Sequence, residues 1–260
     1  MLISHKHKFI YLKTQKTAGT AVEAVFEKYC TDKEDHLFLH YRPGEESEAG
    51  VIGFRGLTYK DTSKWQPSLS AEKVKELVGD DVWGSYFKFC TIRNPYEKAI
   101  SRFYWQQGIE RMQEYYDSIG ESDNENRWVD LDRFKLPADF VFNQEDEVSK
   151  FNEWLFTNNY FRTDCFAYNI KFKWIEEKHR GTFIPEVDAF IRYENLEEDI
   201  QKVRDSLNLP REDIIIPKFK SGYRPKEATC KVMFNEERKA KIVEHFSVEL
   251  DYFNYTFPED

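Results

Sequence analysis

The sequence predicts an α/β fold in which a central, mostly parallel sheet is flanked by helices. Three stretches predict it. Residues 8–13 (KFIYLK) read as a short strand and lead through residues 14–20 (TQKTAGT) into helical spacing over 20–29. Residues 86–92 (YFKFCTI) form a near-continuous apolar run, as a buried strand does, and Pro95 then opens a helical pattern to about Gln107. Residues 188–193 (DAFIRY) repeat the arrangement, with a helix from Glu194 to Leu207. Strands that alternate with helices form parallel sheets covered on both faces.

Between and beyond these units the elements follow in order. Thr20 is placed to cap the first helix, because a threonine hydroxyl accepts from first-turn N–H groups. Residues 31–70 are polar, with scattered Gly, Pro and His, and read as a long irregular segment. Residues 71–78 (AEKVKELV) are helical in pattern. Residues 108–147 are acidic and polar and read as an insertion, followed by a short amphipathic helix over 148–157. Residues 210–229 are loop-like, and 235–247 form a last helix before a Tyr/Phe-rich tail that packs on the body. No linker divides the chain, so residues 1–260 are expected to form one domain.

Composition narrows the function. Hydrophobic residues make up 40% and aromatics 17%, enough for a core and incompatible with global disorder. The net charge of −9 argues against a general binder of nucleic acid or anionic lipid, although a local anion site is compatible with it. Cys30, Cys90, Cys165 and Cys230 lie far apart and form no CxxC pair, so neither a zinc cluster nor any other metal site is expected. The cysteines read as reduced thiols in a cytoplasmic protein. No apolar stretch approaches the ~20 residues of a membrane span. Strand-like sequence directly after the first residues argues against a signal peptide. Oligomeric state is not legible.

The chemistry-bearing segment is Lys16-Thr17-Ala18-Gly19-Thr20, between the first strand and its helix. There, backbone N–H groups and a helix N-terminus face one small volume that favours a phosphate or sulfate. Ala18 and Gly19 allow close approach, Thr17 and Thr20 add hydroxyls, and Lys16 adds a full charge. The GxxxxGK[ST] loop of nucleoside triphosphatases is absent. A second anion site is expected where Arg93-Asn94-Pro95 ends the apolar strand, with Ser101 about two helical turns past Arg93.

These segments resemble the sulfotransferase family. FKFCTIRNPYEKAISRFYW looks like its 3'-phosphate-binding segment, LKTQKTAGT like its 5'-phosphosulfate loop, and FIRYENLEED (residues 190–199) like its strand and helix near the adenine. The loop is closest to that of carbohydrate-type and bacterial members. The resemblance implies a P-loop-like domain and 3'-phosphoadenosine 5'-phosphosulfate as donor, with no metal. It implies that Thr14, Gln15, Lys16, Thr17, Ala18, Gly19 and Thr20 line the 5'-phosphosulfate, with Lys16 stabilising the leaving phosphate. Arg93 and Ser101 would hold the 3'-phosphate, Tyr193 would lie near the adenine, and Lys220 and Arg224 would add charge from a covering loop.

The acceptor implied is a hydroxyl, on a glycan or small molecule. Its general base is open: the segment before the Arg-Asn-Pro strand, where many relatives carry a histidine, reads Gln66-Pro67-Ser68-Leu69-Ser70. Candidates in the irregular, acceptor-side segment are Glu45, Glu46, His40, His36 and Asp61, with the Glu pair slightly ahead. Aromatics from Phe103 to Phe161 could stack on an acceptor, although most read as core. Two other readings compete, a P-loop phosphotransferase and a non-catalytic nucleotide-binding protein of the same fold.

Overall fold

The computed structural model describes residues 1–33, 36–39, 41–56, 64–122, 124, 131, 133–157, 171–175, 180–210, 213–217, 219 and 222–259, with 171–175 and 180–184 described by backbone alone. Two compact units are present. The first comprises Met1–Arg93 and Asp164–Phe219, the second Asn94–Thr163 and Lys220–Asp260.

The first unit is built on a six-stranded mixed sheet. Its strands are β1 (Leu2–Ser4), β2 (Phe9–Leu12), β3 (Glu45–Glu46), β4 (Gly50–Ile52), β5 (Phe87–Ile92) and β8 (Ala189–Arg192), in the order β3-β4-β1-β2-β5-β8. A separate hairpin pairs β6 (Lys171–Ile175) with β7 (Arg180–Ile184). The three strands expected from sequence form the parallel core: Phe9 pairs with Phe87 and Leu12 with Cys90, and Phe89 pairs with Ala189 and Ile92 with Arg192. The other three strands extend it antiparallel. They are two or three residues long, too short for a periodicity to show, and two of them fall inside the segment read as irregular.

Helices α1 (Gly19–Phe26), α2 (Ala71–Val78), α3 (Asp80–Ser85) and α6 (Leu196–Ser206) belong to this unit. Val22 and Phe26 of α1, and Ile200 and Val203 of α6, share one buried core with Leu2, Phe9, Tyr11, Phe89 and Ile191 of the strands. The helix expected over 71–78 stands where the sequence put it, because Ser70 accepts from the Lys73 N–H and Gly79, at φ 81°, ends it.

The second unit contains α4 (Pro95–Ser118), α5 (Gln144–Thr157), α7 (Cys230–Met233) and α8 (Glu236–Tyr252) around a strongly aromatic core. Phe103, Phe151 and Phe234 meet there, with ring centroids 5.3 and 5.2 Å apart in successive pairs. Helix α4 runs past Gln107, where the sequence reading ended it. Gly108 is a contact surface and not a stop: a Cβ on it would lie 2.6 Å from the Tyr223 ring. Among the described residues no helix is long and apolar enough to cross a membrane.

Candidate active site

The parallel register sets the first unit's site. Strands β2, β5 and β8 point the same way, so their C-terminal ends open on one rim of the sheet. The loop 13–18 leaves β2 there, Arg93 follows β5, and Tyr193 follows β8 in a short 3-10 turn, Tyr193–Asn195. In open α/β sheets this rim is where ligands bind.

The loop holds an unusual backbone. Lys16 and Ala18 both stand at φ 62°, in the left-handed region. That conformation costs a non-glycine residue roughly 1–2 kcal/mol and persists where surrounding contacts impose it. The contacts are identifiable. The Thr14 hydroxyl reaches the Thr91 carbonyl of β5 at 2.5 Å and the Thr17 hydroxyl at 2.7 Å, and Thr17 reaches the Thr91 hydroxyl at 2.8 Å. The Tyr11 hydroxyl joins the Thr91 hydroxyl at 3.0 Å. Thr14, Thr17 and Thr91 are almost wholly buried. The Thr17 hydroxyl, expected to face an anion, is therefore turned inward. Thr14 and Thr17 shape the loop, and what they can offer a ligand is backbone.

Helix α1 opens at Ala18, which supplies no side-chain cap. The expected cap, Thr20, lies inside the helix. A helix start without a side-chain acceptor leaves first-turn N–H groups to an external one. A Cβ on Gly19 would stand 2.8 Å from the Lys13 side chain and 3.1 Å from the Tyr11 hydroxyl, so a larger residue does not fit.

The loop's two lysines divide their roles. Lys13 Nζ pairs with Glu23 at 2.6 Å, and burial lowers its pKa. Glu23 is fully buried and also meets the Met1 amino group at 2.6 Å and Arg55 at 3.5 Å. Burial alone would raise the Glu23 carboxyl, but Lys13, the Met1 amino group and Arg55 outweigh it and bring it down to about 2. Lys13 is thus spent on the fold, while Lys16 stands half-buried in the loop.

Arg93 donates to the Lys16 carbonyl at 3.3 Å, and its guanidinium stacks on the Tyr193 ring at 3.9 Å. These contacts bring Lys16, Arg93 and Tyr193 into one neighbourhood. Tyr193 is 40% exposed, as a ring presented to a ligand would be. Ser101, on α4 of the second unit, is half-buried, and its hydroxyl makes no hydrogen bond among the described residues.

The remaining candidates fare differently. Arg224 is held in a fork on Glu97, at 2.5 and 3.1 Å, and donates to the Ala228 carbonyl, so its charge is already neutralised within the second unit. Lys220, His40 and Asp61 lie outside the described residues. Glu45 is bound by Lys33 at 2.8 Å and Arg42 at 2.6 Å, and those hydrogen bonds, Lys33 first, hold its carboxyl below the usual range. Glu46 is lowered by the Trp65 indole N–H at 2.9 Å and then by Lys64. A carboxylate depressed by committed donors is a weak base, so neither fits the proton-accepting role expected of it. His36 Nε2 pairs with Glu27 at 2.7 Å, just past the C-terminal end of α1, about 12 Å of helix rise from the start of that helix. That spacing counts against His36 acting on a group held at the helix N-terminus.

Sequence reasoning missed Thr91 as the hub that fixes the loop. A threonine between Cys90 and Ile92, in the apolar run 86–92, was the available signal, since a buried hydroxyl needs a partner. Among the described residues no group of three or more His, Cys, Asp or Glu side chains could hold a metal ion. No curated protein and no solved structure matches the chain. The sequence model described as the sulfotransferase family does match it, over residues 1–256 of the 260. A match across nearly the whole length establishes that the chain belongs to the sulfotransferase family.

Proposed function

We propose that the chain transfers a sulfuryl group from 3'-phosphoadenosine 5'-phosphosulfate to a hydroxyl on a carbohydrate. The observation that carries this reading is the loop ahead of α1. Its left-handed Lys16 and Ala18, its lack of a side-chain cap and its cramped Gly19 suit a tetrahedral anion drawn close to backbone. Arg93, fixed on Tyr193 beside the loop, suits the additional phosphate that distinguishes this donor from a simple phosphosulfate. Ser101, whose hydroxyl makes no hydrogen bond among the described residues, is a further candidate for a donor phosphate.

In the reaction the acceptor oxygen forms a bond to sulfur while the bond from sulfur to the bridging phosphate oxygen breaks. The electron pair stays on the phosphate oxygen, where negative charge grows. Lys16 and the first-turn N–H groups of α1 would neutralise that charge, and the acceptor proton leaves to a base. Stabilising developing charge with fixed donors is worth about 10²–10³ in rate per donor. We place the protein in the cytoplasm, a reading supported by Cys30, Cys90 and Cys230, which are buried and form no disulfide among the described residues.

The test uses thermal shift and turnover together. 3'-Phosphoadenosine 5'-phosphate is expected to raise the Tm of the chain, and ATP with magnesium to raise it less. Radiolabelled donor with a panel of glycans is expected to label at least one. Lys16→Ala should lower that turnover by about 10²–10³ while retaining the thermal shift. No shift with the 3'-phosphorylated nucleotide, or wild-type turnover in K16A, overturns the proposal.

A further inference from the structure

A cleft of about 820 Å³ lies in the second unit, walled by one face of α4, one face of α5 and the segment 136–140. Phe103, Phe140 and Trp154 give it apolar surface. The Trp154 ring is fixed: it stacks on Phe151 at 5.9 Å, and its indole N–H donates to Gln106 at 3.0 Å.

The charge lining the cleft is unbalanced. The carboxylates of Glu110, Glu114, Glu147 and Glu153 face only Arg111 and Lys150. Both cations are shared, since Arg111 also donates to the Phe134 carbonyl at 2.9 Å and Lys150 pairs with Asp146 at 2.6 Å as well as with Glu147 Oε1 at 3.5 Å. Glu147 is 5% exposed; its Oε1 meets Lys150, but its Oε2 has no hydrogen-bond partner among the described residues. A buried carboxylate oxygen without a donor is unusual in a folded protein, and a donor-bearing ligand would satisfy it. Aromatic rings beside surplus carboxylates are the surroundings that favour a cation with an apolar body, through ring quadrupole and charge together. A sulfated or carboxylated ligand would meet repulsion instead.

We propose that this cleft binds a protonated amine carried on an aliphatic or saccharide body. The assignment does not rest on sulfuryl transfer and is tested without donor. Calorimetric titration of the full chain uses spermidine, a glucosamine tetramer, its fully N-acetylated counterpart and a heparin tetrasaccharide. One or both amines are expected to bind, more weakly as salt rises, and neither of the other two to bind. Spermidine alone would identify a polyamine source, and the glucosamine tetramer alone a saccharide source. The exposed triple variant E110Q/E114Q/E153Q should keep its Tm and weaken amine binding by about tenfold. Failure of both amines to bind, equal binding of the N-acetylated tetramer, or unchanged affinity in the triple variant would overturn the assignment.

Discussion

Thr91 is the residue on which the loop 13–18 depends. Its hydroxyl is fully buried and lies within hydrogen-bond distance of three others, those of Tyr11, Thr14 and Thr17. Valine has nearly the same shape and no hydroxyl. Thr91→Val therefore leaves the packing and removes the hub, at a cost of about 1–3 kcal/mol for buried groups that lose a partner. The loop it releases carries Lys16 and Ala18 in their left-handed conformations, so the donor's KM should rise as well as the Tm fall. Thr91→Ser, which restores the hydroxyl, should recover most of both. Steady-state kinetics against donor concentration check this, and a T91V enzyme with wild-type KM would show that the loop holds itself. None of this was legible in the loop's own sequence, where Thr17 looks like a ligand. Its partner lies 74 residues away on β5, and only the parallel pairing of β2 with β5 brings the two together.

At the scale of the element, α1 shows what pattern reading can and cannot reach. The helix itself was legible, since Val22 and Phe26 repeat at the spacing of one buried face. Its start was not. A hydroxyl residue is the usual cap, which favoured Thr20, yet the chain turns into the helix through Ala18 at φ 62°. Alanine rarely adopts that region, so composition gives no hint of it. The consequence is measurable. Ala18→Gly relieves the clash of Cβ with the backbone while adding chain entropy to the unfolded state, and the two effects roughly offset to within about 1 kcal/mol. Ala18→Val adds branching at a site that already strains alanine and should destabilise by about 2 kcal/mol or more. Thermal unfolding of the pair should thus give a near-neutral glycine and a damaging valine. Equal losses in both would mean that the side-chain methyl, and not the backbone angle, is what matters at this position. Helix α4 gives the complementary case: glycine is a fair stop signal in sequence, but Gly108 is kept for the approach of Tyr223, a contact 115 residues distant that no local window contains.

For the molecule as a whole, the parallel core was legible because each of its strands is mostly apolar and followed by a helix. The antiparallel extension was not, because strands of two or three residues are defined by their partners. The ion network that ties this extension to α1 was equally hidden. Glu23 on α1 and Glu27, which opens the 3-10 turn Glu27–Cys30 directly after it, gather Lys13, Arg55, Arg42 and His36 from scattered segments, with the Arg55–Glu27 pair among the tightest contacts. A glutamate on a helix reads as solvent-facing until its partners are known. The network makes acid stability predictable in sign. The Glu23 carboxyl falls from 4.5 to about 2 on folding, so it stays ionised in the folded protein where the unfolded chain has begun to take up a proton. Its contribution is full above pH 4.5 and is lost as the pH drops from there towards 2. Glu23→Gln mimics the protonated state at every pH and strands the buried cations, so near neutrality it should cost about 3 kcal/mol, on the order of 10 °C in Tm. Below the window the wild type carries the same neutral side chain. Calorimetric scans of both proteins between pH 7 and pH 2 should show a Tm difference that is large at the top, shrinks through the window and vanishes at the bottom. A difference that stays constant with pH would mean that glutamine fails on shape, and that the Glu23 charge does not hold the network together.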